Sequence, residues 1–240
     1  MISKIKKIIS ENKVRQEMQL LQLKELEWAH IYHDSIRGKK WLEDLPLNIG
    51  RWAGNYSFFY VLNRILYDYK PKQILELGLG ESSKFISSYL ENDLINSRHV
   101  IVEQSEEWIK EFQSKFTLSN KSEVFLCPLV EGEIEGYRSN FYDGFTDTIK
   151  GKFDLYIVDG PFGSSRYSRY DIVSKVRELE LGDEFIILFD DTNRKGEKDT
   201  LADVLRIFKD KNIDVFINNY VGNKTNTIIA TGKYKFAISL

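Results

Sequence analysis

From Gln73 onward, short apolar runs alternate with stretches whose apolar residues recur every three or four positions. The runs Gln73–Leu77, His99–Glu103, Glu123–Cys127, Phe153–Val158 and Phe185–Phe189 read as strands. Between them, Ser83–Leu90, Glu106–Phe116, Tyr170–Leu179 and Asp199–Lys209 carry helical spacing. The strands at Phe153 and Phe185 are apolar on both faces, which predicts a parallel sheet covered on both sides. Asp214–Asn219 and Thr225–Thr231 flank Tyr-Val-Gly-Asn-Lys, a hairpin connection containing glycine, and so close the sheet with one antiparallel strand. Upstream, residues 1–30 read as a helix on the spacing of Ile2, Ile5 and Ile9 and of Val14, Met18 and Leu21. Residues 31–53 read as a connector. Asn55 or Ser57 can cap a helix bearing Phe58, Phe59, Leu62, Ile65 and Leu66, which Pro71 stops. The expectation is a doubly wound α/β domain over 55–240 with a mostly parallel seven-stranded sheet, preceded by a helical extension and connector over 1–54.

Composition narrows the function classes. With 240 residues, 42% hydrophobic and 29% charged, the chain suits one large globular domain. A net charge of −2 gives no overall attraction to nucleic acid. One cysteine, Cys127, excludes an internal disulfide, and three histidines with it make a poor zinc set. The longest apolar run in the C-terminal third, Phe185–Phe189, falls far short of the ~20 residues that span a bilayer. The basic start MISKIKKIISENK lacks the apolar stretch of a signal peptide, and the expected location is cytoplasmic. That first helix suits a surface or oligomer-packing role, here between copies of the chain. Its five basic residues against one acidic residue in the first fifteen also suit weak contact with an anionic membrane surface.

The segment Glu76-Leu77-Gly78-Leu79-Gly80-Glu81-Ser82-Ser83 joins the first strand to its helix. Gly78 and Gly80 leave backbone bare for a ligand. Ser82 and Ser83 can place hydroxyls beside the free N–H groups of the helix start. Glu103 ends the next strand, where a carboxylate can accept both hydroxyls of a ribose. Two glycines also suit a dinucleotide, but the third glycine of that fingerprint is replaced by Ser83. Glu76 before the turn would repel a pyrophosphate and suits a cationic sulfonium. A plain strand–helix turn with a surface glutamate is the bland alternative.

Over about residues 55–231 the chain resembles the class I S-adenosylmethionine (SAM)-dependent methyltransferases, whose first motif is an acid-x-Gly-x-Gly turn followed by an acid ending strand two. The resemblance implies strand order 3-2-1-4-5-7-6 and SAM as cofactor. It places Glu76, Gly78, Gly80, Ser82 and Ser83 at the methionine end, Glu103 at the ribose and Asp159 beside the cofactor.

Two further strands end in acid, at Asp159 and at Asp190-Asp191. Brought to one sheet edge, three carboxylates need a counter-charge, and a hard divalent cation with oxygen ligands is the natural one. Bound Mg²⁺ or Mn²⁺ would lower the pKa of an acceptor hydroxyl. The pattern is similar to metal-dependent O-methyltransferases, which implies Asp159, Asp190 and Asp191 as ligands. The alternative is structural: Asp-Gly-Pro is a common turn and Asp191 can introduce a helix. The catechol-type enzymes of that group carry a lysine base soon after the strand-four acid. Gly160–Tyr170 holds none, which leaves the base open; Asp159 can serve where no metal binds.

The loop after Asp159 carries Arg166 and Arg169, which can fork onto a carboxylate or phosphate, and Tyr167, which can stack on a ring. Val-Asp-Gly-Pro-x-Gly resembles polysaccharide methyltransferases acting on uronic acids, which implies a small-molecule or glycan acceptor in surface-polysaccharide synthesis. Arg166 is the candidate acceptor-side catalytic residue. Residues 128–150 exceed a simple turn and could cover adenine or form a lid. Arg51, Trp52, Asn55 and Tyr56 lie where such folds admit substrate. The unpaired spacing of His30, His33 and His99 reads as structural. Two other functions fit the same pattern: aminopropyl transfer from decarboxylated SAM, and a non-catalytic scaffold of this fold.

Overall fold

A computed structural model describes residues 2–50 and 52–240, without the side chains of Ile2, Ser3 and Ile5, so Arg51 and the side-chain spacing of Ile2 and Ile5 lie outside the described residues. In chain order the elements are α1 (Ile2–Ile36), α2 (Lys40–Glu43), α3 (Tyr56–Arg64) with a π-helical turn (Ile65–Tyr69), β1 (Gln73–Leu77), α4 (Glu81–Asn92), β2 (Arg98–Glu103) and α5 (Glu106–Lys115). There follow β3 (Ser122–Leu126), β4 (Leu129–Ile134), β5 (Tyr137–Tyr142), α6 (Phe145–Thr148), β6 (Leu155–Val158), α7 (Asp171–Glu178) and β7 (Ile186–Phe189). The chain ends with α8 (Lys195–Asp210), β8 (Phe216–Val221), β9 (Thr225–Ala230) and a 3₁₀ stretch (Gly232–Ser239).

Seven strands form one sheet in the order β3-β2-β1-β6-β7-β9-β8, parallel except for β9, which runs antiparallel to both neighbours. Counted among themselves, these strands follow the order 3-2-1-4-5-7-6 implied by the motif resemblance. The extra numbers come from β4 and β5, a separate antiparallel hairpin. From the sequence alone that stretch reads as a connection. Its alternation is masked by charge: Leu129-Val-Glu-Gly-Glu-Ile faces Tyr-Arg-Ser-Asn-Phe-Tyr142, and only Ser139 and Tyr142 of the pair are buried.

Strand alternation divides the core. Ile74, Leu155, Ile157, Ile186, Leu188 and Ile228 pack toward α1, α3 and α4 with Phe58, Phe59, Leu62, Phe85 and Tyr89. Leu75, Leu77, Tyr156, Val158, Ile187 and Phe189 pack on the other face toward α7 and α8, with Val173, Val176, Val204 and Phe208. Asn55 is the cap of α3, its side chain accepting from Phe58 N.

The second half of α1 belongs to this core: Tyr32 and Ile36 are buried beside Phe59 and Phe85, and Trp28 packs at 5.5 Å on Tyr60 and 5.8 Å on Tyr220 while donating to Val221 O (3.0 Å). The first half leaves Ile8, Ile9, Val14, Met18 and Leu23 exposed. No helix among the described residues is long and apolar enough to cross a membrane. Trp28→Ala removes two aromatic contacts and a long-range hydrogen bond. It should cost roughly 3 kcal/mol and lower Tm by about 6–12 °C in thermal denaturation.

Candidate functional site

The parallel strands β1, β2, β6 and β7 all end at one edge, and each brings an acid to it. The turn after β1 is set by backbone demands. Gly78 has φ +103°, and a Cβ there would lie 3.3 Å from the backbone of Asp159. Gly160 is equally confined, since a Cβ would meet Tyr142 Oη, Gly78 N (2.9 Å) and Leu77 C (3.0 Å). So the β1 and β6 turns touch through bare backbone. Above Gly80 a Cβ would meet nothing within 4 Å, which leaves open space against the chain at the start of α4.

Several side chains hold this turn. Ser83 Oγ accepts from Gly80 N (3.0 Å) and donates to Glu76 Oε2 (2.7 Å). Glu76 is fully buried and lies 2.9 Å from His99 Nε2, also fully buried. Glu76 therefore braces the turn through Ser83 and His99, while its other oxygen, Oε1, is buried without a hydrogen-bond partner. His99 is structural in that bracket. Glu103 is 4% exposed and accepts three backbone N–H groups, from Leu79 (3.0 Å), Gln104 (2.8 Å) and Ser105 (2.9 Å). Burial pushes its carboxyl up, and the three N–H donors pull it back. Ser82 is buried at the same helix start. Trp108, which the motifs do not single out, donates from Nε1 to Leu79 O (2.7 Å) and keeps a partly exposed indole beside the turn. These features fit SAM: bare backbone at Gly80, an open helix start, and a fixed carboxylate for a diol.

At the β6 and β7 ends, Asp159, Asp190 and Asp191 offer carboxylate oxygens all within 4.8 Å of one another. The convergence expected from the sequence is present, but the counter-charge comes from the chain. Arg169 is 5% exposed, and its Nη2 lies 2.9 Å from both Asp159 Oδ1 and Asp191 Oδ2. Its Nη1 donates to Val158 O (3.2 Å) and Asp190 O (3.0 Å). Lys224, from the β8–β9 turn, lies 3.4 Å from Asp190 Oδ2 and 3.7 Å from Asp191 Oδ1 and donates to Ala53 O (2.9 Å). Arg194 Nη1 lies 2.9 Å from Asp191 Oδ2. The Asn226 amide sits between Asp190 and Ser57. The carboxylate needs a donor, so the amide nitrogen faces Asp190 and its oxygen accepts from Ser57 Oγ (2.9 Å). Every acid of the trio thus has a cationic partner, and the set does not fit a divalent ion on charge.

Asp159 keeps 18% of its side-chain surface exposed. Burial raises its pKa to about 7, against the pull of Arg169 and with a smaller push from Asp190. Asp190 is raised as well, first by burial. Arg169 and Asp191 are held at φ +59° and +60°, a left-handed conformation that costs roughly 1–2 kcal/mol for a side chain and that the ion pairs oppose.

Arg166 does not join the trio. It pairs with Asp199 of α8, and its guanidinium lies 4.3 Å from the Tyr137 ring centre and 5.3 Å from that of Tyr167. Tyr167 Oη donates to Glu135 (2.6 Å), and Ser139 Oγ to Tyr167 O (2.7 Å), so the β4–β5 hairpin is fastened to the loop after Asp159. A cavity of about 350 Å³ lies under the N-terminal connector, lined by Tyr32, His33, Leu47, Ile49 and Tyr56 among others.

No protein-family model matches the chain, and no curated protein matches it. Solved structures with a similar course of the chain include cofactor-bound Rv0187 from MTB, at 15% identity and TM-score 0.48 over 77% of this chain and 84% of that one. The SAH-bound Podospora anserina methyltransferase PaMTH1 is 15% identical with TM-score 0.44, over 91% and 94%. An O-methyltransferase from Bacillus cereus in complex with SAH is 14% identical with TM-score 0.45, over 84% and 90%. At these identities the likeness is one of architecture; the ligands and activities belong to those proteins.

Asp171, 6% exposed, opens α7 and takes one N–H from Tyr142 (3.2 Å). Burial raises its pKa to about 7 from an ordinary 3.8. A folded-state pKa above the unfolded one means that the folded chain binds more protons between these values, so stability falls as pH rises through that window. Asp171→Asn keeps the acceptor and removes the titration. Its Tm advantage over the unsubstituted chain should be larger at pH 7.5 than at pH 4.5; an equal difference at both would contradict the assignment.

Proposed function

We propose that this chain is a SAM-dependent methyltransferase that methylates a hydroxyl of a small sugar or glycan acceptor, in surface-polysaccharide synthesis. The observation that carries the reading is the pairing of an open glycine turn with two differently tuned acids. Glu103 is fixed by three backbone donors beside that turn, and Asp159, whose backbone abuts Gly78, has a pKa near neutrality. Bound SAM supplies an electrophilic methyl group for in-line displacement by an oxygen.

The chain's own groups account for the rest. Glu103 offers a carboxylate to the ribose hydroxyls, and Gly80 lets the ligand lie against the backbone. Asp159 accepts the proton that the acceptor hydroxyl loses. A base with a pKa of about 7 is well placed for that at neutral pH, since it is part ionised and still basic. Arg169 holds the Asp159 carboxylate in place, and the loop it belongs to is fastened to the β4–β5 hairpin.

The sugar reading is supported by the Val158-Asp-Gly-Pro-Phe-Gly163 segment and by the rings of Tyr137 and Tyr167 stacked around Arg166. Metal-assisted transfer is the other form of this function suggested by the Asp pattern. The cationic partners of the trio favour proton transfer to Asp159 without it.

Titration calorimetry with SAM tests the cofactor half. The chain should bind in the micromolar range, and Glu103→Gln should weaken binding by about 10–100-fold through loss of two charge-assisted hydrogen bonds. No heat at millimolar SAM would reject the reading. For the base, methyl transfer to a panel of neutral sugars and uronic acids should rise about tenfold per pH unit below pH 7 and level off above it. Asp159→Asn should lower kcat by roughly 10²–10⁴-fold and leave the SAM affinity nearly unchanged; a kcat within about threefold of the parent would remove Asp159 from that role.

A further inference from the structure

We propose that Arg169, with Lys224, is a built-in counter-ion that holds the place a divalent cation would take among Asp159, Asp190 and Asp191, so that this edge of the sheet excludes divalent metal. The inference concerns the site of the proposed methyltransferase. It rests on that reading only for the catalytic part given to Asp159.

Three observations carry it. The first is position: the Arg169 guanidinium bridges Asp159 and Asp191 at 2.9 Å each, among the oxygens that a metal would have to draw together. The second is permanence. Arg169 is 5% exposed, is tied by two further bonds to the carbonyls of Val158 and Asp190, and sits in a strained backbone conformation that only a well-populated contact set sustains. A guanidinium stays charged throughout the working pH range and is planar, so it can serve two carboxylates at once. The third is the charge count. The carboxylates of Asp159, Asp190, Asp191 and Glu197 lie among the cations Arg169, Lys224 and Arg194, with Glu197 3.8 Å from Arg169 Nε and 3.9 Å from Arg194 Nη1. With every acid ionised, four negative charges meet three positive ones. A divalent ion would turn this near-balance into a positive excess in a buried site, and it would have to compete with both cations for the same oxygens.

The arrangement also orders the site. Arg169 comes from the loop after β6 and Lys224 from the β8–β9 turn, and Lys224 additionally holds Ala53 O of the N-terminal connector. The internal cations therefore link three chain segments around the carboxylates, which a free ion bound only by the aspartates would not do.

Manganese titration followed by electron paramagnetic resonance of free Mn²⁺ tests this on the whole chain, with no SAM or acceptor present. Under a tenth of a site should be filled at about 1 mM Mn²⁺, and millimolar Mg²⁺ or Mn²⁺ should leave Tm unchanged. Arg169→Met should gain Mn²⁺ affinity by at least about tenfold, because three acids then lack their shared cation. Lys224→Met, whose contacts are longer and less buried, should gain less and provides a second variant if the first folds poorly. One Mn²⁺ per unsubstituted chain, lost in Asp190→Asn, would overturn the proposal. SAM binding with no Mn²⁺ binding supports both readings. Mn²⁺ binding with intact SAM binding sinks this inference alone, and loss of SAM binding with no Mn²⁺ uptake sinks only the methyltransferase reading.

Discussion

Parallel strands point their ends the same way, so any acid that ends one of them is carried to the same edge as the others. In this chain β1, β2, β6 and β7 deliver Glu76, Glu103, Asp159, Asp190 and Asp191 to one side of the sheet, and four of these five are almost wholly buried. Buried carboxylates repel one another and lose the solvation of water, so the edge can exist only if each acid finds donors. Much of the irregular structure around the site supplies them. Arg169 leaves a left-handed backbone position to reach two aspartates, Lys224 comes over from the last hairpin, Asn226 presents its amide nitrogen to Asp190, and three backbone N–H groups close on Glu103.

The solutions differ from acid to acid, and the differences assign the work. Glu76 meets a histidine and a serine and is fully buried at the glycine turn, which it braces. Glu103 takes neutral backbone donors and stays beside the open turn. Asp159 alone keeps appreciable exposure together with a pKa raised by burial, the combination that suits a group taking up a proton. Asp190 and Asp191 pair with Arg169, Lys224 and Arg194 and so tie the surrounding loops together.

The sheet was legible in the sequence because its signals are local. Apolar runs at Phe153 and Phe185, the glycines at 78 and 80, and acids placed just after strands each declare themselves within a few residues. The strand order came with the resemblance of the glycine turn and the acid after it to the class I methyltransferases. What escaped were pairings across long separations. Lys224 lies 34 residues from Asp190, and nothing in Tyr-Val-Gly-Asn-Lys announces that its last residue folds back onto a β7 acid. Arg166 and Arg169 are three residues apart and look equivalent in sequence. Positive φ at Arg169 sends one inward, while Asp199 and Tyr137 draw the other outward. The β4–β5 hairpin was hidden by glutamates and an arginine on its exposed face, because its anchoring is by Ser139 and Tyr142 and not by an apolar stripe.

The central claim is that the glycine turn and Glu103 together form the cofactor seat. A crystal structure of the chain soaked with S-adenosylhomocysteine tests it most directly. The account predicts both ribose hydroxyls within about 3 Å of the Glu103 carboxylate, the ligand backbone against Gly80, and its sulfur facing Asp159. Ligand bound elsewhere, or density at the turn with no contact to Glu103, would contradict it.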